Sequence, residues 1–381
     1  MNNPKTIYLS LGSNLGNKLF NLQNAIFKIS ENISAVEAIS NIYQSDSWGF
    51  ESDDFLNICI AIHSDIDPKV LLEKIQRIER SLGRYRNNSK GYLPRSIDID
   101  ILYYGEEIFE TEELTIPHPS LQLRQFVLRP LSDIAPQFYH PILKKDTRNM
   151  LQMCKDKSGI VKTKSKLYKT RELLFSRLDF IAIEGNIGAG KTTLAHKISE
   201  ELNAKLILER FADNPFLPKF YEDQARYAFP LEMSFLAERY QQFTDDTTQF
   251  DLFKSFMVSD YDIFKSLIFA KVTLQEEEFN LYRKVFNFMH KEVKKPGLYV
   301  YLYQNTARLL ENIKNRNRDY EQNIGSDYLE KINRGYLDFI KSTPTHNTLI
   351  IDISELDFVR NSEDYTTIID KIAEFATNKN N

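Results

Sequence analysis

Apolar and polar positions along the first hundred residues switch between a two-residue and a three-to-four-residue period. Ile7 to Leu11 reads as a strand and Gly12-Ser13-Asn14 as a turn, while Leu19, Leu22, Ala25, Ile26 and Ile29 share one helix face. A second unit follows: a strand from Phe55 to Ile62, then a helix with Asp67 as N-cap and Pro68 at its first position. Leu71, Leu72, Ile75, Ile78 and Leu82 face inward, and Gly83 stops it. This alternation predicts an α+β sandwich. The next strand alternates strictly, with Ile97, Ile99 and Ile101 on one face and Asp98 and Asp100 on the other.

From Asp156 to Arg177 the pattern fades, and Lys157, Lys162, Lys164, Lys166, Lys169 and Arg171 accumulate before Leu173. Such a run reads as a solvated basic linker, 158–177, between domains at 1–157 and 178–381. After it come a short buried strand, Phe180 to Ile183, a helical stretch, Leu194 to Leu202, and a strand, Lys205 to Leu208. Leu349 to Asp352 reads as the last strand of that sheet.

Composition narrows the class without naming it. A chain of 381 residues with 42% hydrophobic and 27% charged positions can bury two or three cores, and a net charge of −4 disfavours coating of nucleic acid or anionic membrane. Cys59 and Cys154 form neither a disulfide framework nor a zinc spacing, and no signal peptide or spanning run stands out. The expectation is a cytoplasmic protein acting on small molecules.

Two stretches carry chemistry. Gly185 to Thr193 fits G-x-x-x-x-G-K-[ST], with Gly185, Gly188 and Gly190 freeing backbone N–H groups for an anion at a helix N-terminus. Lys191 then reaches the outer phosphates of a nucleotide, Thr192 ligates Mg²⁺, and Thr193, just past the motif, is a further candidate for the nucleotide site. In the first half, Asp98 and Asp100 stand two residues apart on one strand, about 6.6 Å, a span suited to holding Mg²⁺ against a triphosphate. The loop before them brings Arg84, Arg86, Lys90 and Arg95 as counter-charge. A bare D-x-D alone would more often be a solvated face.

Pro94 to Ile101 resembles the P-R-[ST]-[IL]-D-[IL]-D-[IL] motif of the hydroxymethyl-dihydropterin pyrophosphokinases. The likeness runs from Thr6 to about Met153, including Gly12-Ser13-Asn14, Leu56-Asn57, Arg77-Ile78-Glu79 and Pro117-His118. It implies a ferredoxin-like α+β sandwich that moves a pyrophosphoryl group from ATP to a pterin hydroxymethyl oxygen, leaving AMP. By that resemblance Asp98 and Asp100 hold two Mg²⁺, Arg84 and Arg95 contact phosphates, and Gln76, Arg86, Thr115 and His118 bind ATP. Phe55 and Phe126 sandwich the pterin, with Asn57 on its edge and Trp48 nearby. The family's Trp-Gly is Tyr92-Leu93 here, the loop is one residue longer, and Glu113 stands where an Arg is frequent.

In the second half, Glu209 at the end of a strand can accept a proton from a substrate hydroxyl, and Arg316 and Arg318 can neutralise a transferring phosphoryl group from a lid. With Asn214 to Leu217, Phe220-Tyr221 and the R-x-R-x-x-E run ending at Glu321, this half resembles the deoxynucleoside kinases from about Leu178 to Phe375. That implies an α/β P-loop kinase with a parallel sheet and helical lid, dimeric through this domain, making ADP and a 5′-phosphate. By resemblance Glu209 is the general base, Tyr221 and Glu321 meet the 3′-hydroxyl, and Glu232 replaces a base-reading glutamine. Ser259-Asp260-Tyr261 lies where D/E-R-S is common, which puts Asp260 at the substrate and leaves Lys265 as a substitute for the arginine. An ionised Glu232 would favour adenine or cytosine over thymine. Deoxyadenosine is the expected substrate, with deoxyguanosine, deoxycytidine and thymidine as alternatives; a kinase tethered to an inactive first half is another. A nucleotide switch is disfavoured by the lack of an N-K-x-D motif.

Overall fold

The computed structural model describes residues 3–47, 52–84, 94–210, 214–248, 253–318, 321, 324–343 and 347–379. The chain divides into two compact units, Met1–Leu174 with Glu374–Asn381, and Phe175–Ala373.

The first unit runs β1 (Lys5–Ser13), α1 (Lys18–Asn32), β2 (Val36–Ile39), β3 (Tyr43–Ser45), β4 (Phe55–Ser64), α2 (Pro68–Ser81) and β5 (Asp98–Tyr104). A small hairpin of β6 (Phe109–Glu110) and β7 (Thr115–Ile116), helices α3 (Gln125–Ile134) and α4 (Thr147–Met153), and β8 (Ile160–Lys162) follow. The main sheet has the order β5-β1-β4-β3-β8, with β2 also on β4, and its pairs are antiparallel. α2 starts as its residues dictate: the Asp67 carboxylate accepts from the Lys69 N–H, and Pro68 occupies the first turn. Ile97, Ile99 and Ile101 enter a core with Leu9, Leu22, Ile60 and Ile75, so the alternation of β5 turns both aspartates the other way.

Two sequence readings are corrected here. Gly12-Ser13 is not a turn but the end of β1, because Gly12 pairs with Asn57 on one side and Asp98 on the other. The segment expected to be a solvated linker is not all linker. Ile160–Lys162 forms an edge strand on β3, and the Gln23 side chain both donates to the Tyr168 carbonyl and accepts from its N–H.

α5 (Arg171–Ser176) leads into the second unit: β9 (Phe180–Gly185), α6 (Lys191–Glu201), β10 (Ala204–Ile207), α7 (Leu217–Glu222), α8 (Gln224–Thr248) and β11 (Phe256–Ser259). After these come α9 (Phe264–Thr273), α10 (Glu276–Met289), β12 (Leu298–Tyr303), α11 (Thr306–Arg316), α12 (Ser326–Ser342), β13 (Thr348–Asp352) and α13 (Ser362–Lys379). The sheet, β10-β11-β9-β12-β13, is wholly parallel. Phe180 to Gly185 are buried at every position, as a strand covered on both faces requires. α6 begins at Lys191, three residues before the apolar spacing announces it, because the glycine loop itself turns into the helix. No helix among the described residues is long and apolar enough to cross a membrane.

Candidate active sites

In the first unit, pairing of β1 with β5 sets Gly12 beside Asp98 and Ser10 beside Asp100. Phe55, Asn57, Arg95, Asp98, Asp100 and Phe126 then line one pocket, together with Ser10, Gly12, Ser45, Asp46 and Arg124. A Cβ at Gly12 would stand 3.3 Å from Asn57 Oδ1 and 3.6 Å from Phe55 Cδ1, so glycine keeps the floor between these two side chains open. The buried Asn57 amide donates to Ser45 Oγ at 3.0 Å, which fixes its orientation. Asn14 explains the opening G-S-N. Its backbone N–H donates to the Arg95 carbonyl, and its Oδ1 accepts the Arg95 N–H at 2.7 Å, clamping the start of the D-x-D segment.

The electrostatics are lopsided. Asp98 lies between Arg84 Nη1 and Arg95 Nη1, each 2.5 Å from one of its oxygens. Glu79, almost fully buried, also pairs with Arg84 and accepts the Ile99 N–H at 2.9 Å, tying α2 to β5. Asp100 makes no such arginine pair among the described residues: burial, and then the charge of Asp98, push its carboxyl up to about 7 against the pull of Arg124 and Arg84. His118 Nε2 is 4.0 Å from Asp100, but burial and then Arg124 push its imidazole down to about 4, so it is neutral there. Two carboxylates on one face, one of them resisting ionisation, form an all-oxygen donor set that fits a hard cation such as Mg²⁺. Arg124 was not singled out from the sequence; a cation just before a helix reads as solvated.

The other expected ATP residues lie elsewhere. Thr115 and His118 share a neighbouring groove with Phe109, Ile116, Pro117 and His140. Gln76 is half-buried on α2 and lines neither pocket, while Trp48, Arg86, Lys90 and Tyr92-Leu93 lie outside the described residues.

In the second unit, the loop from Gly185 opens α6. Gly190 holds φ at +79°, and a Cβ there would come within 2.7 Å of Phe358 Cζ. Buried Asn186 anchors the loop through the Leu329 carbonyl at 2.7 Å and Asn333 Oδ1 at 2.9 Å. Lys191 donates to the Asn186 carbonyl at 2.9 Å; burial and then Lys265 lower its ammonium to about 8. Thr192 Oγ1 donates to Asp260 Oδ2 at 2.5 Å, and Asp260 Oδ1 accepts the Glu209 N–H at 2.8 Å. Thr192 with Asp260 is again an oxygen set suited to Mg²⁺.

One cavity gathers Gly188, Lys191, Thr192, Glu209, Tyr221, Glu232, Asp260, Arg316, Arg318 and Glu321, all expected from the sequence. Gly185 and Gly190 shape the loop and Thr193 sits in the first turn of α6, and none of the three lines that cavity. Asp260 bridges Thr192 to the Glu209 backbone, a contact the sequence reading did not foresee.

Glu209 accepts from Lys265 Nζ at 2.6 Å and from Arg239 Nη2 at 2.7 Å. Burial alone would raise its carboxyl, but Lys265 and Arg239 override it and hold the group well below the usual carboxylate range. Lys265 and Arg239 thus both sit against Glu209. Arg239, also bonded to Ser266 Oγ at 2.8 Å, was missed, since nothing in the sequence links it to a carboxylate thirty residues earlier. The lid differs from a simple helix: α11 ends at Arg316, Asn317 turns left-handed at φ +54°, and Arg318 follows outside it. Both arginines reach the buried Glu321, Arg316 Nε at 3.0 Å and Arg318 Nη1 at 3.4 Å.

Comparison with known proteins agrees with this division. The model of the family described as "Deoxynucleoside kinase" matches residues 181–377, and that of "7,8-dihydro-6-hydroxymethylpterin-pyrophosphokinase (HPPK)" matches residues 8–136. A deoxyguanosine kinase of Bacillus subtilis (strain 168) is 39% identical over 162 residues, 42% of this chain and 78% of its own. A 2-amino-4-hydroxy-6-hydroxymethyldihydropteridine pyrophosphokinase of Aquifex aeolicus (strain VF5) is 42% identical over 141 residues, 37% of this chain and 86% of its own. A solved deoxyadenosine kinase from M. mycoides with bound dATP is 26% identical and covers 51% of this chain and 98% of its own, with a TM-score of 0.45. With an aspartate-lined pocket on an antiparallel sheet and a phosphate loop on a parallel one, the chain belongs to both families, the pyrophosphokinases in its N-terminal part and the deoxynucleoside kinases in its C-terminal part.

Proposed function

We propose that the first unit transfers the pyrophosphoryl group of ATP to the hydroxymethyl oxygen of 6-hydroxymethyl-7,8-dihydropterin, leaving AMP, and that the second phosphorylates the 5′-hydroxyl of a purine deoxynucleoside, leaving ADP. The observation that carries the first reading is the meeting of Asp98, Asp100 and Arg95 with Phe55, Phe126 and Asn57 in one pocket. The rings stack a flat heterocycle, Asn57 meets its edge, and Arg84 and Arg95 balance phosphate charge. Mg²⁺ held by Asp98 and Asp100 supplies charge neutralisation and a template for the triphosphate. The ferredoxin-like description of this unit belongs to the same reading and draws on the β5-β1-β4 order with β2 and β3 beyond it.

The second reading rests on the single cavity that joins the phosphate loop, Glu209 and the lid arginines. Lys191 and Thr192, with Mg²⁺, take the ATP phosphates, Arg316 and Arg318 meet the transferring group, and Tyr221 and Glu321 take the 3′-hydroxyl. Glu209, kept ionised by two cations, is a weak base that orients the 5′-hydroxyl and takes its proton late, as suits a loose phosphoryl transition state. Deoxyadenosine, favoured from the sequence, and deoxyguanosine, named for the Bacillus subtilis relative, are both included. A cytoplasmic homodimer joined through the kinase units completes the proposal.

The test is a steady-state panel of the full chain with MgATP, the hydroxymethyl-dihydropterin and four deoxynucleosides, with AMP and ADP separated. Asp98→Ala should abolish pterin-dependent AMP only, and Glu209→Ala nucleoside-dependent ADP only. No AMP with the pterin would sink the first assignment, and ADP formed equally without nucleoside would sink the second.

A further inference from the structure

Glu232 on α8 is 3% exposed. Its Oε1 lies 3.0 Å from the Thr273 hydroxyl, and that hydroxyl lies 3.0 Å from the Phe269 carbonyl, so one hydroxyl proton faces two acceptors. Oε2 has no hydrogen-bond partner among the described residues, and the side chain belongs to the wall of the cavity that also holds Glu209 and Glu321. Leu231, Phe235, Phe269 and Tyr328 supply the apolar wall around it. A buried carboxyl oxygen without a partner is unfavourable, so this site is completed by a group that brings one. Between aromatic and apolar walls, that group is the polar edge of a flat ring.

The two purines differ at that edge. Either polar edge of adenine sets the exocyclic N–H donor beside a ring-nitrogen acceptor, whereas guanine can present N1–H and its 2-amino group as two adjacent donors. A carboxylate offers only lone pairs and matches the guanine donors. A carboxylic acid offers O–H beside C=O and matches adenine. We propose that Glu232 sets the purine preference of the kinase through its own protonation, the ionised form taking deoxyguanosine through N1–H and the 2-amino group and the acid form taking deoxyadenosine. This rests on the nucleoside-kinase reading above.

The surroundings let both forms exist near neutrality. Burial pushes the Glu232 carboxyl up to about 7, against the opposing pull of Arg239, Thr273 and Lys265 and with a further push from Glu209. Arg239 on α8 and Lys265 on α9 are themselves paired with Glu209, whose charge opposes part of their pull on Glu232. Among the described residues the phenols of Tyr282 on α10 and Tyr328 on α12 also face it, both neutral in this range, while Lys191, Tyr221, Asp260, Arg316, Arg318 and Glu321 stand elsewhere on the wall of the same cavity.

The experiment measures kcat/KM for deoxyguanosine and deoxyadenosine from pH 6 to pH 8 on the full chain and on Glu232→Gln. Titration of Lys191 affects both substrates and cancels in their ratio, and neither purine ionises in this interval. In the wild type the guanosine-to-adenosine ratio should rise with pH by at least ~10-fold, since each unit across a titration changes the acid-to-base ratio tenfold. Glu232→Gln, whose amide imitates the acid form, should favour deoxyadenosine with a flat ratio. Calorimetric binding of each nucleoside to the wild type in buffers of different ionisation enthalpy gives a readout that needs no variant. Proton uptake should accompany deoxyadenosine at pH 7.5, and proton release deoxyguanosine at pH 6.5. A flat wild-type ratio with both purines phosphorylated, the same slope in Glu232→Gln, or binding without proton exchange overturns the inference while leaving the kinase reading intact. If no nucleoside yields ADP, the kinase reading itself fails and the inference goes with it.

Discussion

Asp100 is the carboxylate that the first unit resists ionising. Its ordinary value is 3.8 and the fold holds it up to about 7, so the folded chain keeps a proton that the unfolded chain has released. The sign follows: below about pH 4 the group is neutral in both states and costs nothing. As pH rises toward 7 the folded state falls progressively behind, and above 7 the loss is complete. Asp100→Asn should therefore raise the melting temperature of the metal-free protein by about 2–4 °C at pH 8 and not at pH 4. Pyrophosphoryl transfer should drop by ~10²-fold or more through loss of a charge aimed at the phosphates. Melting curves with a chelator at both pH values check this, and an equal shift at both would refute the repulsion. Glu209 is the opposite case, ionised throughout because Lys265 and Arg239 hold it. Arg239→Met removes one cation and should move the acid limb of kinase kcat/KM upward by about one unit or more. A limb that stays in place would show that Arg239 does not tune Glu209.

The phosphate loop shows how an element can be specified by backbone rather than by side-chain contacts. Gly190 is left-handed and pressed against Phe358, so Gly190→Ala should destabilise by ~1–3 kcal/mol and weaken MgATP binding. Adding Phe358→Leu relieves the clash but not the dihedral strain, and should recover only part of the melting temperature; full recovery would mean that φ does not matter. This loop was legible because strand, glycines and helix are contiguous. The D-x-D strand was legible for a similar reason, since its period of two places Ile99 in the core and Asp98 and Asp100 opposite without any knowledge of neighbours. What escaped depends on partners far away in sequence. β1 continues through Gly12-Ser13 because two strands pair with it there, and Ile160–Lys162 becomes a strand only by meeting the edge of β3. Arg239 acts through Glu209, thirty residues earlier, and Arg124 lies in the field of Asp100, which the fold brings to it. Conversely Gln76 and Thr115, assigned by likeness, do not join the aspartates in their pocket.

At the scale of the whole molecule, two units with separate apolar cores and separate pockets imply two thermodynamic units joined in one chain. A ligand that binds only one folded unit stabilises that unit alone, by ~2.7 kcal/mol at a hundred times its dissociation constant. Scanning calorimetry of the full chain should thus resolve two transitions, one displaced upward by the pterin and the other by a purine deoxynucleoside. MgATP, a substrate of both sites, should move both. Asp98→Ala should leave the nucleoside-sensitive transition where it was, and Glu209→Ala the pterin-sensitive one. If a single transition responds equally to either ligand, the two units unfold as one cooperative body, and the separate cores do not make separate folding units.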